Sequence, residues 1–131
     1  MELNKNLHIA ITIITLLCAH ECGSVLVIEM DNWNLASIPH NSININVTKL
    51  DLDKNHLTVL GMAEFSNYRK LRIIKLNRND ISSVDPKSFQ YVPLRELYLD
   101  SNELTAVPLL ATVKSTLQIL SMNKNEQIQI V

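Results

Sequence analysis

The stretch LDLDKNHL, from Leu50 to Leu57, decides the fold, and it has two interpretations. Its Asp-x-Asp-x-Asn core looks like the start of a calcium-binding loop. Such a loop needs a glycine at its sixth position for a sharp turn and a bidentate glutamate at its twelfth. Counting from Asp51, these positions hold His56 and Met62, so both requirements fail. The remaining interpretation is that Leu-x-Leu-x-x-Asn-x-Leu is one turn of a repeat.

The same skeleton recurs along the chain at a nearly constant interval. The units begin at Val25, Val47, Leu71, Leu94 and Leu117, with spacings of 22, 24, 23 and 23 residues. Four units carry the asparagine of the skeleton, at Asn55, Asn79, Asn102 and Asn125. Trp33 takes the asparagine position in the first unit. Because each unit of a solenoid buries its apolar face only against its neighbours, this recurrence predicts a solenoid.

Residues 25–131 resemble the extracellular class of the leucine-rich repeat family, whose units are roughly 20 to 29 residues long. The resemblance implies an α/β solenoid with about five units, curved, with short parallel strands on its concave face. The first unit is an atypical amino-terminal cap unit, which has Leu35-Ala36-Ser37-Ile38-Pro39 but lacks the usual cysteines. The resemblance further implies a non-catalytic protein-binding module, similar to secreted insect immune proteins or to ectodomains of adhesion and developmental receptors.

The residue chemistry predicts the same division between core and displayed positions. Alternate residues of a strand face opposite sides, so the two leucines of Leu-x-Leu are core and the residue between them is displayed. A buried asparagine satisfies backbone groups in the following turn with both its carbonyl and its amide. We therefore expect Asn55, Asn79, Asn102 and Asn125 to stack as a structural ladder.

The amino terminus is typical of a secretory signal peptide, which we place at residues 1–23, with the repeat domain at 24–131. Lys5 precedes an apolar run from Leu7 to Leu17, too short for a transmembrane helix of about 20 residues. The protein is therefore predicted to be secreted. Cleavage after Ala19 is the alternative and would leave Cys22 in the mature chain without an internal partner, which predicts an intermolecular disulfide. Asn46, in Asn46-Val47-Thr48, is a predicted glycosylation site.

Function is sought among the displayed positions of the concave face. These carry charged side chains together with a few apolar or aromatic ones, a mixture that suits a protein partner. The candidate binding residues are Glu29, Asp51, Asp53, Ile73, Lys75, Arg78, Arg95, Tyr98 and Asp100. The sequence does not identify the partner.

Two other functions are compatible with the acidic residues Glu29, Asp31, Asp51 and Asp53, which we expect to form a square. Paired carboxylates are used in glycoside hydrolysis, but an open strand face does not exclude water from a reacting group. We therefore predict no enzyme and no cofactor, with occasional binding of a divalent cation as the alternative. The net charge of −1 gives no bulk attraction to nucleic acid, and no membrane insertion is expected after signal removal. An intracellular repeat adaptor is a lower alternative.

The chain stops within its last unit, at Gln129-Ile130-Val131. A solenoid end without a capping segment exposes apolar core and an open strand edge. The sequence therefore predicts that a second subunit, as in a dimer, or a longer parent chain covers this end. In the second case the chain is the amino-terminal fragment of a receptor.

Overall fold

The computed structural model describes residues 10–14 and 24–128. A six-stranded sheet has the order β1-β2-β3-β5-β7-β8, and a two-stranded sheet pairs β4 with β6. The strands are β1 (Ala10–Ile14), β2 (Val25–Glu29), β3 (Lys49–Asp51), β4 (Val59–Leu60), β5 (Ile73–Lys75), β6 (Ser83–Val84), β7 (Glu96–Tyr98) and β8 (Ile119–Ser121). From β2 to β8 each unit contributes one strand of the larger sheet, and these strands are parallel. The predicted solenoid with parallel strands is confirmed.

The repeat period sets the register of the sheet. Leu50 pairs with Ile74, and Ile74 pairs with Leu97, so the first strand leucines of successive units lie side by side. These three side chains are fully buried, whereas Lys49 and Asp51 on either side of Leu50 are only half-buried. The alternation that the sequence predicts therefore separates a core face from a concave, displayed face.

The return segments on the convex side pack aromatic rings between units. Phe65 and Phe89 are buried and stacked, with ring centroids 5.1 Å apart. Within residues 24–128 the return segments are turns, the small β4–β6 sheet and two 3₁₀ helices, at His40–Ser42 and Ala111–Val113. The helical part of the predicted α/β class is thus limited to these two short helices. None of the helices in the described chain is long and apolar enough to cross a membrane.

The amino-terminal edge of the larger sheet differs from the rest. β1 pairs with β2 in antiparallel register, from Ala10 opposite Glu29 to Ile14 opposite Val25. These five residues are the part of the predicted signal peptide that the structure describes. Cys22 and the other residues of 1–23 lie outside it. Signal removal and a disulfide at Cys22 stay predictions.

The last described strand leaves core positions exposed. Leu120 is 40% exposed, although its counterparts Leu50, Ile74 and Leu97 are fully buried. A groove of about 570 Å³ between Leu117, Leu120 and the preceding return segment continues this apolar surface. Covering of this surface by a second subunit or by further chain stays a prediction.

Candidate functional site

The four repeat asparagines hold the turns that follow the strands. The Asn79 side-chain carbonyl accepts a hydrogen bond from the Leu57 backbone N–H, at 3.1 Å. Its amide donates to the backbone carbonyls of Leu52 and Leu76, at 3.0 and 3.2 Å. Equivalent hydrogen bonds are made by Asn55, Asn102 and Asn125. Each asparagine therefore joins the backbone of its own unit to that of the preceding unit.

A second ladder, which sequence reasoning missed, lies just after the carboxyl ends of the strands. The Asp53 carboxylate accepts a hydrogen bond from the Asn77 N–H at 2.7 Å. The Asn77 side-chain carbonyl then accepts from the Asp100 N–H at 2.8 Å, and Asp100 accepts from the Asn123 N–H at 2.6 Å. We call Asp53, Asn77, Asp100 and Asn123 the concave Asx ladder. Its sequence signal was present, because all five units carry Asp or Asn at this position.

Within the concave Asx ladder, the pKa of Asp53 is shifted from its ordinary value. Burial raises the pKa of the Asp53 carboxyl above its ordinary value, and the nearby Asp51 carboxylate raises it further. Hydrogen bonds from Asn77 act in the opposite direction. Since the folded state holds the Asp53 proton more tightly than the unfolded state, this carboxyl stabilises the fold at low pH. That contribution is lost as the pH rises through the raised pKa.

We expect Asp53→Asn to keep the hydrogen bond to the Asn77 N–H, as Asn77 itself does for the Asp100 N–H. The native protein loses stability as Asp53 ionises, whereas an asparagine does not ionise. The unfolding free energy of the variant should therefore exceed that of the native protein by an amount that grows from pH 3 to pH 7. Asp53→Ala leaves the Asn77 N–H without its acceptor and should destabilise by about 1–3 kcal/mol. Urea titrations at both pH values measure these differences. A pH-independent difference for Asp53→Asn would contradict the assignment.

The middle of the concave face carries a cluster that we call the central patch, formed by Asp51, Ile73, Lys75, Glu96 and Tyr98. All five side chains are half-buried. Lys75 Nζ lies 3.4 Å from Asp51 Oδ2, and the Tyr98 hydroxyl donates to Glu96 Oε2 at 2.8 Å. The hydrogen bond to Glu96 is the main cause of a raised Tyr98 pKa. The polar groups are therefore held in place, and the Tyr98 ring and Ile73 are presented between them.

The other predicted binding residues lie around the central patch. Glu29 is exposed on β2, and Arg78 is exposed in the turn after β5 with a left-handed φ of 56°. Arg95 precedes β7, at the edge where the strands begin. Asp53 and Asp100 bind the backbone of the following unit, so their carboxylates are partly committed to the solenoid. A groove of about 480 Å³ runs between the concave Asx ladder and Lys54, Arg78, Ser101 and Lys124.

Comparison with known proteins assigns the family. A leucine-rich repeat family model matches residues 45–104, which include the Asn55, Asn79 and Asn102 rungs. The chain belongs to the leucine-rich repeat family. This leucine-rich repeat chain is 30% identical to asporin of Bos taurus over 108 residues, which cover 82% of the chain and 29% of asporin. It is 29% identical to opticin of Bos taurus over 111 residues, or 84% of the chain and 32% of opticin.

A third relative comes from a fish. The leucine-rich repeat chain is 34% identical to leucine-rich repeat-containing protein 3 of Danio rerio over 90 residues, or 67% of the chain and 34% of that protein. The chain thus spans about a third of the length of these relatives.

A side-chain cluster on the convex side of the leucine-rich repeat domain was also missed from sequence. His40 contacts the Tyr68 hydroxyl through Nδ1 at 2.8 Å and Glu64 Oε1 through Nε2 at 2.9 Å. Burial raises the pKa of Tyr68 to about 12, with a smaller contribution from Glu64. Tyr68 therefore keeps its proton, and in the tautomer that carries its proton on Nε2 the hydroxyl donates a hydrogen bond to His40 Nδ1 while Nε2–H donates to Glu64. The cluster ties the cap unit to the next unit.

The acidic square does not form a metal cluster in the described residues. Within that part of the chain, no group of three or more His, Cys, Asp or Glu side chains is arranged to hold a metal ion. Asp51 lies beside Lys75, and Asp53 accepts its hydrogen bonds from Asn77. The hydrogen-bonding capacity of these two carboxylates is therefore directed mainly to the protein itself.

Proposed function

We propose that this leucine-rich repeat domain is an extracellular, non-catalytic module that binds a protein partner through the central patch. The observation that carries the proposal is the Tyr98 ring, which lies half-buried on the concave face with its hydroxyl fixed by Glu96 at 2.8 Å. Aromatic side chains held in one orientation lose little entropy on binding and supply much of the energy of protein interfaces.

The neighbours of Tyr98 support the same proposal. Ile73 lies diagonally across the β5–β7 pair, and the Lys75–Asp51 pair closes the patch on its amino-terminal side. An apolar centre bordered by polar groups is the usual anatomy of a protein interface. Since Lys75 is paired with Asp51, a Lys75→Glu variant would place two carboxylates together and would reduce stability as well as binding.

The direct test is Tyr98→Ala, measured against partners selected from a library of purified extracellular domains. We expect at least about a tenfold loss of affinity, because truncating an interface aromatic costs about 2 kcal/mol or more. Tyr98 is not a core side chain, so the unfolding free energy should stay within about 0.5 kcal/mol of the native value. Biolayer interferometry and urea denaturation provide the two measurements.

Tyr91→Ala is the matched control, because it makes the same substitution at a tyrosine that is 62% exposed outside the concave face. It should leave the affinity for the protein partner unchanged. Equal losses in both variants, or no loss in Tyr98→Ala, would place the contact elsewhere.

The extracellular part of the proposal is supported by the predicted signal peptide and by Asn46. Asn46 lies in an exposed turn just before β3, where a glycan has access to solvent. We expect a secreting cell to release a chain trimmed near residue 23 and carrying one glycan, and Asn46→Gln to remove that glycan. Intact mass measured before and after glycan removal and reduction tests cleavage, glycosylation and the fate of Cys22 together.

Retention of a full-length, sugar-free chain inside the cell would instead favour an intracellular adaptor. An immune role, and the alternative of an amino-terminal receptor fragment, stay predictions based on the family resemblance. Both use the same concave face, so the Tyr98 experiment applies equally to them.

A further inference from the structure

One long edge of the solenoid carries a run of positive charge that lies outside the central patch. This is the edge where the chain turns from the convex side into the strands. We call it the basic edge, and its cations are Arg69, Lys70, Arg72, Arg95 and Lys114. Four of them are exposed, and Arg72 is half-buried.

The segments that form the basic edge contain no acidic residues to balance its positive charge. The three segments that form it, residues 66–72, 90–95 and 111–118, contain no aspartate or glutamate. Among residues 24–128, the ion pairs of the structure are those of His40, His56 and Lys75, so no basic-edge cation is paired with a carboxylate there. A chain with a net charge of −1 therefore has one edge on which positive charge predominates, although Glu96 directly follows Arg95.

Two arginines of the edge are held in unusual settings. The Arg69 guanidinium lies 4.6 Å from the centre of the Tyr91 ring, and Tyr91 has a left-handed φ of 67°. This conformation is costly for a bulky residue. A guanidinium held over a ring is restrained by the cation–π attraction and keeps N–H groups that can donate to an acceptor. Arg72 is half-buried, and its Nη1 atom, which is shielded from solvent, has no hydrogen-bond partner among the described residues.

We propose that the basic edge binds a linear sulfated polysaccharide. The parallel strands stack about 4.8 Å apart, and the repeat places Arg72 and Arg95 at equivalent positions in adjacent units. The cations therefore form a row along the solenoid axis, which fits a linear polyanion. The planar fork of arginine donates two parallel hydrogen bonds to an oxyanion such as sulfate.

Other anionic partners fit the edge less well. Within its three segments Tyr91 is the single large hydrophobic side chain that is highly exposed, and Arg69 lies over its ring; the apolar groove that Lys114 and Leu117 line is confined to the last units. A protein interface needs several buried apolar anchors, and a membrane surface requires apolar side chains that enter the lipid. A sulfated chain needs neither, since its attraction comes from charge and counterion release.

The test uses heparin as the probe and the intact protein as secreted. Affinity is measured on a heparin surface across a range of salt concentrations. The unsulfated polymer heparosan, polyglutamate and phosphatidylserine vesicles are the comparison ligands. We expect binding to heparin, an affinity that falls steeply with salt, and much weaker binding to the other three.

Two matched triple variants locate the contact. Arg69→Gln/Arg95→Gln/Lys114→Gln removes three exposed cations from the basic edge. Lys54→Gln/Arg78→Gln/Lys124→Gln removes three exposed cations from the opposite edge, where the strands end. We expect the first variant to lose at least about tenfold in affinity and the second less than about threefold. The slope of log affinity against log salt should fall by about one for each contacting cation removed.

Several results would overturn the proposal. One is an equal loss of heparin affinity in the two triple variants. Another is binding to heparosan, polyglutamate or vesicles that is as tight as binding to heparin. The third is no binding to heparin by the native protein. Thermal unfolding of each variant confirms that the fold is intact. None of these measurements involves Tyr98. A negative result for heparin would therefore leave the proposed protein binding at the central patch untouched.

Discussion

Replacing Asn79 with alanine is expected to lower the free energy of unfolding by about 3–5 kcal/mol, since several buried backbone groups lose partners that are each worth about 1–3 kcal/mol. Asn79 is 5% exposed, and the residues that it binds, Leu52, Leu57 and Leu76, are buried. The Leu57 N–H loses its acceptor, while the Leu52 and Leu76 carbonyls lose a donor. Urea denaturation followed by circular dichroism measures the change.

Asn67→Ala is the control for this variant, because Asn67 is exposed on a return segment. It should change the unfolding free energy by less than about 0.5 kcal/mol. If Asn79→Ala lay within 1 kcal/mol of this control, the ladder would be a packing feature whose hydrogen bonds add little net stability.

Phe89→Ala is the second large expected effect, a loss of about 3–5 kcal/mol from an unfilled cavity and lost apolar burial. Phe89 is 1% exposed, and its ring is stacked on Phe65 with centroids 5.1 Å apart. The substitution therefore removes one half of the aromatic contact that joins two adjacent return segments. Urea denaturation, followed both by circular dichroism and by the fluorescence of Trp33, measures the loss.

Circular dichroism and Trp33 fluorescence follow the unfolding of different parts of the protein. Trp33 lies in the cap unit, at a distance along the chain from the cavity that Phe89→Ala creates. Coincident transitions would mean that the whole solenoid unfolds as one cooperative unit. Met62→Ala, at a side chain that is 70% exposed on the convex side, should leave both transitions unchanged. A loss below 1 kcal/mol for Phe89→Ala would contradict the role of the stacked rings.

Much of the fold follows from a single period in the sequence. The spacing of the Leu-x-Leu skeleton predicts where Leu50, Ile74 and Leu97 lie, and these residues pair side by side in the sheet. Period-two alternation predicts the core face correctly in β3, β5 and β7, because each of these strands is buried on one side only. The helical content was less predictable, since return segments of this length satisfy their backbone with turns and 3₁₀ helices as well as with α-helix.

The site was only partly predictable because its contacts join residues from different units. Asp53 was interpreted as a displayed residue, yet its carboxylate accepts from the backbone of Asn77, 24 positions later. Lys75 was interpreted as a displayed binding residue, and the structure places the Asp51 carboxylate 3.4 Å from its Nζ. These are side-chain distances between neighbouring turns, which a one-dimensional pattern does not contain.

The basic edge illustrates the same limit. Arg69 belongs to a return segment, and Arg95 precedes the strand of another unit. Only the coiling of the chain places both on one edge. Their common charge could be counted from the sequence, but the segregation of that charge from the acidic residues required the structure.

The asparagine ladder also has an evolutionary consequence. Each rung contacts only its own unit and the one before it, as the bonds of Asn79 to Leu52 and Leu76 show. A tandem duplication of residues 71–93 would therefore insert a unit whose new asparagine finds the same backbone partners in the copy that precedes it. Such a gene rearrangement would lengthen the concave face by one strand, about 4.8 Å, without requiring any compensating substitution. The recognition surface can thus grow by recombination, with later point mutations confined to displayed positions.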